Sequence, residues 1–382
     1  MKHLPHVAPG SSWRRAFTIA SAFVLLLPAA SFAQQYQQAN LVSSTSDPNL
    51  KNPWGLARGT DSFWWVSDNV TGVSTLYDGT GAKQPMPQAL IVTIPHTPGT
   101  AVGSPTGIVF NGSNDFALTP GNPAFFIFVS LDGTISGWNP AVNLNNAMQK
   151  VRGSAASVLT GATIAQIGNN RYLYVADLKK GEITVYDTTF RRVELNETGF
   201  HDDQVPQGFA PFNVQNIGNN LYVAYAKQNK AKNFVEMPFH PGQGFVDVFS
   251  PEGSLLTRLQ HGHWFNAPWG LTLAPNDFGT FSHKVLVGQF GSGEILAFDA
   301  DTGGFEGTLQ DQNDAVISIG GPGALWALAF GIGAPNLNTT NQAATIQAAN
   351  TLFFTSGPNF PNGGLFGTLT PVQADLTQGS DQ

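Results

Sequence analysis

Ala267 to Leu309 is the stretch that most narrows what this chain can fold into. Four short apolar runs, Gly270–Leu273, Lys284–Gln289, Glu294–Asp299 and Phe305–Leu309, are separated by turn residues. Asn276, Asp277 and Gly279 mark the first turn, Gly291–Gly293 the second and Asp301–Gly304 the third. Glycine accepts positive φ, and Asp or Asn closes a turn through its own backbone. The pattern therefore predicts a small four-stranded antiparallel sheet. The unit then recurs. VLVGQFGSGEILAFD aligns with YLYVADLKKGEITVYD, WWVSDNVTGVSTLYD and FIFVSLDGTISGWN. Units start near Pro53, Pro105, Gly161, Pro211, Pro268 and Ala324, at spacings of 52, 56, 50, 57 and 56 residues.

One such sheet cannot bury both its faces, but a ring of them can. Six starts predict an all-β, six-bladed β-propeller with four-stranded antiparallel blades over residues 34–382. Trp269, Leu286, Val287 and Phe298 are expected to pack between blades. The sixth unit supplies three strands only. Tyr36–Ser43 is an orphan run that would complete it and fasten the ring; Thr370–Leu376 is the alternative filler.

Composition agrees. The chain has 42 glycines, 25 prolines and only 11% charged residues, and Asp outnumbers Glu by 18 to 7. Asp favours turns where Glu favours helices. The formal charge is −7. An acidic surface repels nucleic acid and anionic lipid, so neither is an expected partner. The absence of cysteine excludes disulfides, thiolate metal sites, a cysteine nucleophile and a lipoprotein anchor.

Lys2, Arg14 and Arg15 precede an apolar run from Ala16 to Ala30, followed by Ser31-Phe32-Ala33. Basic start, short apolar run and small-x-small site together read as a signal peptide over 1–33, with a mature chain beginning at Gln34. The expectation is an exported protein, periplasmic or extracellular, monomeric and not inserted in a membrane after cleavage.

The runs Ala267-Pro268-Trp269-Gly270, Asn276-Asp277-Phe278-Gly279, Leu325-Trp326-Ala327-Leu328-Ala329-Phe330-Gly331 and Asn350-Thr351-Leu352-Phe353-Phe354 resemble a family of exported bacterial conserved hypothetical proteins. That family is similar to six-bladed propellers of NHL-repeat type. The resemblance implies a propeller and export, and no chemistry. Gln289 and Ser292 stand where the family pattern has Asn and Asp, which weakens a metal-ligand reading of that loop.

Propeller ligands sit where strands end around the central channel. The blade pattern puts Asp68, Asn69, Ser130, Asp132, Asp177, Tyr225, Lys227, Gln289 and Ser356 at such ends. Asp68 and Asp177, with Asn69 and Gln289 as neutral donors, are the candidate Ca2+ set, since a hard cation needs several oxygens. The competing reading is that each Asp starts a turn. His261-Gly262-His263-Trp264 is the candidate transition-metal or stacking site, against the reading of an ordinary loop. His201-Asp202-Asp203 places a base beside acids without triad geometry. Lys227, Lys230 and Lys232 form a basic loop, read as a solvated insertion. These features favour a non-catalytic binding module with a protein or glycan partner and no required cofactor. The alternative is a metal-assisted hydrolase or lyase at the channel mouth.

Overall fold

The computed structural model describes Met1 and residues 35–98, 102–196, 199–331 and 349–372. The expected export segment, apart from Met1, lies outside the described residues.

Six four-stranded antiparallel sheets are present. Blade 1 runs Pro53–Ala57, Trp64–Asp68, Val73–Tyr77 and Ile91–Thr93. Blade 2 runs Pro105–Phe110, Phe126–Ser130, Ile135–Trp138 and Met148–Val151. Blade 3 is Leu159–Ile167, Asn170–Asp177, Glu182–Tyr186 and Arg192–Val193. Blade 4 is Phe209–Ile217, Asn220–Lys227, Phe245–Phe249 and Leu255–Arg258. Blade 5 is Pro268–Leu273, Lys284–Gln289, Ile295–Asp299 and Phe305–Thr308. Its first connection contains a short 3-10 turn, Gly279–Phe281, at the expected Asn-Asp-Gly site. Blade 6 is Leu325–Phe330, Leu352–Ser356, Leu365–Pro371 and, outermost, Tyr36–Ser43.

The orphan run therefore closes the ring. It pairs from Tyr36 with Pro371 to Ser43 with Leu365. Tyr36 is fully buried, stacks on Phe278 at 4.7 Å and donates its hydroxyl to the Phe278 carbonyl at 3.0 Å. Thr370 and Pro371 belong to the neighbouring strand, so the alternative filler is not used.

The first strand of each blade touches the first strand of the next, and the sixth touches the first. All six carry a register shift near their start. The crowding there explains the glycines. A Cβ on Gly55 would sit 2.4 Å from the Thr106 carbonyl oxygen, and one on Gly270 would sit 2.5 Å from that of Trp326. Only a hydrogen fits between adjacent backbones at this radius.

Leu286 packs with Leu325, Leu352 and Phe354 of blade 6. Val287 and Phe298 pack with Tyr222, Ala224 and Val246 of blade 4. Both interfaces are as expected. Trp269 is not. It packs with Trp54, Phe212 and Trp326, from blades 1, 4 and 6, and donates its indole N–H to the Thr160 carbonyl of blade 3 at 3.1 Å. A side chain meeting four other blades lies on the axis. Trp54, Trp269 and Trp326, each second in its inner strand, and Phe212, which follows Pro211 in blade 4, thus form an aromatic plug in the channel, all nearly without solvent exposure.

Candidate functional site

The expected strand-end residues occupy equivalent places. Asp68, Ser130, Asp177, Gln289 and Ser356 each pair with the first residue of their blade's inner strand, and Tyr225 pairs with Pro211, the third residue of its own. All six are buried. Several of them tie down an incoming connection. Asp177 Oδ1 accepts from the Val158 and Lys180 amides at 3.1 and 3.2 Å, and its carboxylate faces Lys180 Nζ at 3.5 Å. Gln289 Oε1 accepts from the Asn266 amide at 2.7 Å. Ser356 Oγ donates to the Ile319 carbonyl at 3.5 Å. Asp132, two residues past its strand end, accepts from the Thr97 amide at 2.7 Å and from the Thr134 amide at 3.0 Å. Asp68 accepts from Thr75 Oγ1 at 2.7 Å, while its other oxygen has no hydrogen-bond partner among the described residues. Burial pushes the Asp68 carboxyl well above the usual carboxylate range, against the Thr75 hydrogen bond.

Side chains alternate along a strand, so the residue one step further faces the other way. The next positions are Asn69, Leu131, Leu178, Ala226, Phe290 and Gly357. Asn69, Leu131 and Phe290 line a cavity over the plug. Leu178 and Ala226 pack into the plug itself. Of the candidate ligand residues read from the sequence, Asn69 borders this cavity.

The cavity measures about 630 Å³. Its floor is a ring stack. Trp54 lies on Trp326 at 3.6 Å and 18°, and Phe290 lies on Trp326 at 4.1 Å and 28°. Phe234 and Phe239, from the excursion between the second and third strands of blade 4, supply a wall. Met237 and Phe360 stand at the rim, 65% and 67% exposed. None of the described lining residues is charged. Three carboxamides line the cavity, those of Asn52, Asn69 and Asn359, and the first two are linked. Asn52 Oδ1 accepts from the Trp326 indole at 2.9 Å, and Asn52 Nδ2 donates to Asn69 Oδ1 at 3.4 Å. Asn69 Nδ2 in turn donates to the Pro105 carbonyl at 3.1 Å. Asn52 has φ +45°, a left-handed conformation that Asn tolerates better than most residues.

The histidine pair lies elsewhere. His261 and His263 are exposed. His261 stacks on Phe245 at 4.4 Å with Nε2 3.3 Å from the Gly242 carbonyl, and His263 lies against Trp264. Among the described residues, no three His, Asp or Glu side chains come together as a metal site. Lys227 pairs with Glu236 inside the blade 4 excursion, while Lys230 and Lys232 are exposed. His201 contacts Asp203 at 2.8 Å. Its neighbour Asp202 instead pairs with Arg258, whose Nε donates to Asp247 at 2.7 Å.

No family model matches the sequence. Uncharacterized protein L690 of Acanthamoeba polyphaga mimivirus is 31% identical over 271 residues, which are 69% of this chain and 69% of the viral protein. The chain belongs to the L690 family. This relative is viral, whereas the sequence runs suggested bacterial exported proteins. For this L690-family chain, a solved structure of a protein of unknown function from Bacteroides thetaiotaomicron VPI-5482 has a TM-score of 0.53 at 11% identity, covering 88% of this chain and 76% of that one. A streptogramin B lyase has a TM-score of 0.50 at 12% identity, covering 88% and 97%. At these identities the likeness is one of fold.

Proposed function

We propose that the chain is an exported binding module that takes an uncharged, mostly apolar ligand at the channel mouth. The observation that carries this is the cavity of about 630 Å³ floored and walled by aromatic rings, with no charged residue among its described lining. Its size falls in the range of about 300–1,000 Å³ that small-molecule sites occupy. Apolar walls with a few fixed polar groups are the usual composition of such sites. A glycan fits less well, because its many hydroxyls would lose water without gaining partners. A metal-assisted hydrolase or lyase needs several converging oxygen or nitrogen ligands, and the cavity lining offers carboxamides only.

Residues 34–382 titrated with N-phenyl-1-naphthylamine, a neutral fluorescent probe, test the site. The expected result is saturable binding that a Met237→Asp/Phe360→Asp double variant abolishes. Both residues are exposed, so the double variant should still fold. Non-saturable fluorescence, or equal binding by that variant, would overturn the reading. Export is tested by the mass of the secreted chain: a start at Gln34 is expected, and retention of residues 1–33 would refute cleavage there.

A further inference from the structure

We propose that this cavity selects a planar, neutral, fused-ring aromatic molecule over an alkyl chain, and that Phe234 and Phe239 enforce the choice. The inference rests on the binding-site reading above. Trp54, Trp326 and Phe290 form a nearly parallel set. Phe239 stands at 86° to Phe290 with centroids 5.3 Å apart, and Phe234 at 89° and 5.8 Å. The lining is thus a corner in which Phe234 and Phe239 both stand nearly perpendicular to Phe290, while Phe234 is tilted at 58° to Trp54. A flat aromatic guest lying parallel to Phe290 meets Phe234 and Phe239 edge to face. Both arrangements are favourable for ring quadrupoles, and an alkyl chain gains neither.

The two phenyl groups are held in place from below. The excursion that carries them is pinned by a Gln228–Val235 bridge, a Gln243–Asn266 bridge and the Lys227–Glu236 ion pair. Phe234 also touches Trp54 and Phe212 in the plug, at 6.2 and 6.3 Å. The wall is therefore ordered before any ligand arrives, which lowers the cost of binding.

Volume sets the size class. A cavity of about 150 Å³ accommodates benzene, so about 630 Å³ has room for two to four fused rings. That is more space than one aromatic side chain of a protein partner would fill, which favours a free small molecule.

The test compares two competitors for the bound naphthylamine probe: phenanthrene and 1-dodecanol. Wild-type protein should prefer phenanthrene. Phe239→Leu and Phe234→Leu keep an apolar wall and remove a ring. Each should weaken phenanthrene by roughly two- to tenfold, the worth of one aromatic pair, and leave dodecanol within about twofold. Phe239→Tyr keeps the ring and should keep the preference; it also covers the case in which a leucine variant fails to fold. Equal losses for both competitors, or an unchanged ratio, would overturn the inference while leaving the site intact. Failure of the wild-type protein to bind any probe would instead sink the reading beneath it. N-acetyltryptophanamide binding as tightly as phenanthrene would overturn the choice of a free fused-ring ligand in favour of a partner's side chain.

Discussion

Replacing Asp247 with Asn should make the propeller more stable above pH 6 and leave it nearly unchanged near pH 4. Asp247 is fully buried, on the third strand of blade 4. Its Oδ1 accepts from Arg258 Nε at 2.7 Å, and its Oδ2 has no hydrogen-bond partner among the described residues. Arg258 also pairs with Asp202 and lies 3.5 Å from Gln204 Oε1. The Tyr225 hydroxyl, buried close by, has no partner among the described residues either. Two carboxylates therefore share one guanidinium in a largely buried cluster. Burial raises the Asp247 pKa from 3.8 to about 6; Arg258 opposes the rise and Asp202 adds to it.

The sign follows from proton linkage. The folded state holds this proton more tightly than the unfolded chain does. Below about pH 3.8 both states are protonated and the group costs nothing. As pH rises from there to about 6 the unfolded chain ionises first, and stability falls. Above pH 6 the penalty is complete, about 3 kcal/mol for a rise of this size. The Asp247 side chain has no exposure to solvent, so screening does not reduce it. Asn resembles the protonated acid and keeps an acceptor for Arg258. Urea denaturation from pH 4 to pH 8 should give curves for the two proteins that meet at the acid end. At pH 8 they should separate by up to about 3 kcal/mol, with Asp247→Asn the more stable. A variant less stable by the same amount at every pH would refute the reasoning, because the ion pair would then outweigh the cost of burial.

Two further outcomes concern the ring itself. Tyr36→Ala should lower stability by about 3–5 kcal/mol, because a fully buried ring and its hydrogen bond fasten the closing strand; thermal melting of the mature chain measures this. Gly270→Ala should cost about 1–3 kcal/mol, since its Cβ would meet the Trp326 carbonyl oxygen at 2.5 Å. A chemical denaturation midpoint no lower than wild type would show that the inner strands can move apart.

Much of the fold was legible because a blade is a local object. Strands joined by turns rich in Asp, Asn and Gly repeat six times, and short apolar runs such as Trp64–Asp68, Phe126–Ser130 and Leu352–Ser356 mark the strands buried on both faces. The outer strands of the first three blades left little trace. Ile91–Thr93, Met148–Val151 and Arg192–Val193 are two to four residues long and partly exposed. With one neighbour and little burial, such strands need no apolar alternation. The closing role of Tyr36–Ser43 was readable only by counting, as the strand missing from the sixth unit.

The cavity was less legible, and the reason is a single step in register. The repeat pattern puts strand ends at Asp68, Asp177 and Gln289, where the strands do end or turn, and their polar side chains are the expected ligands. Those chains point sideways and hold connections. The axis belongs to their neighbours Asn69, Leu178 and Phe290, and to Trp54, Phe212, Trp269 and Trp326. A signal did exist. Four of the six positions following the strand ends are apolar, at sites where turns usually begin with polar residues.

The sequence by itself determined the repeat, the blade number and the need for closure, since these follow from periodicity and turn chemistry within about fifty residues. Tertiary structure alone decided which face of each strand meets the channel. It also decided that rings from blades 1, 4, 5 and 6 meet on one axis, and that a blade 4 excursion brings Phe234 and Phe239 over them. Those contacts join residues up to about 270 positions apart. Spacing along one blade carries no information about what stands opposite it across the ring.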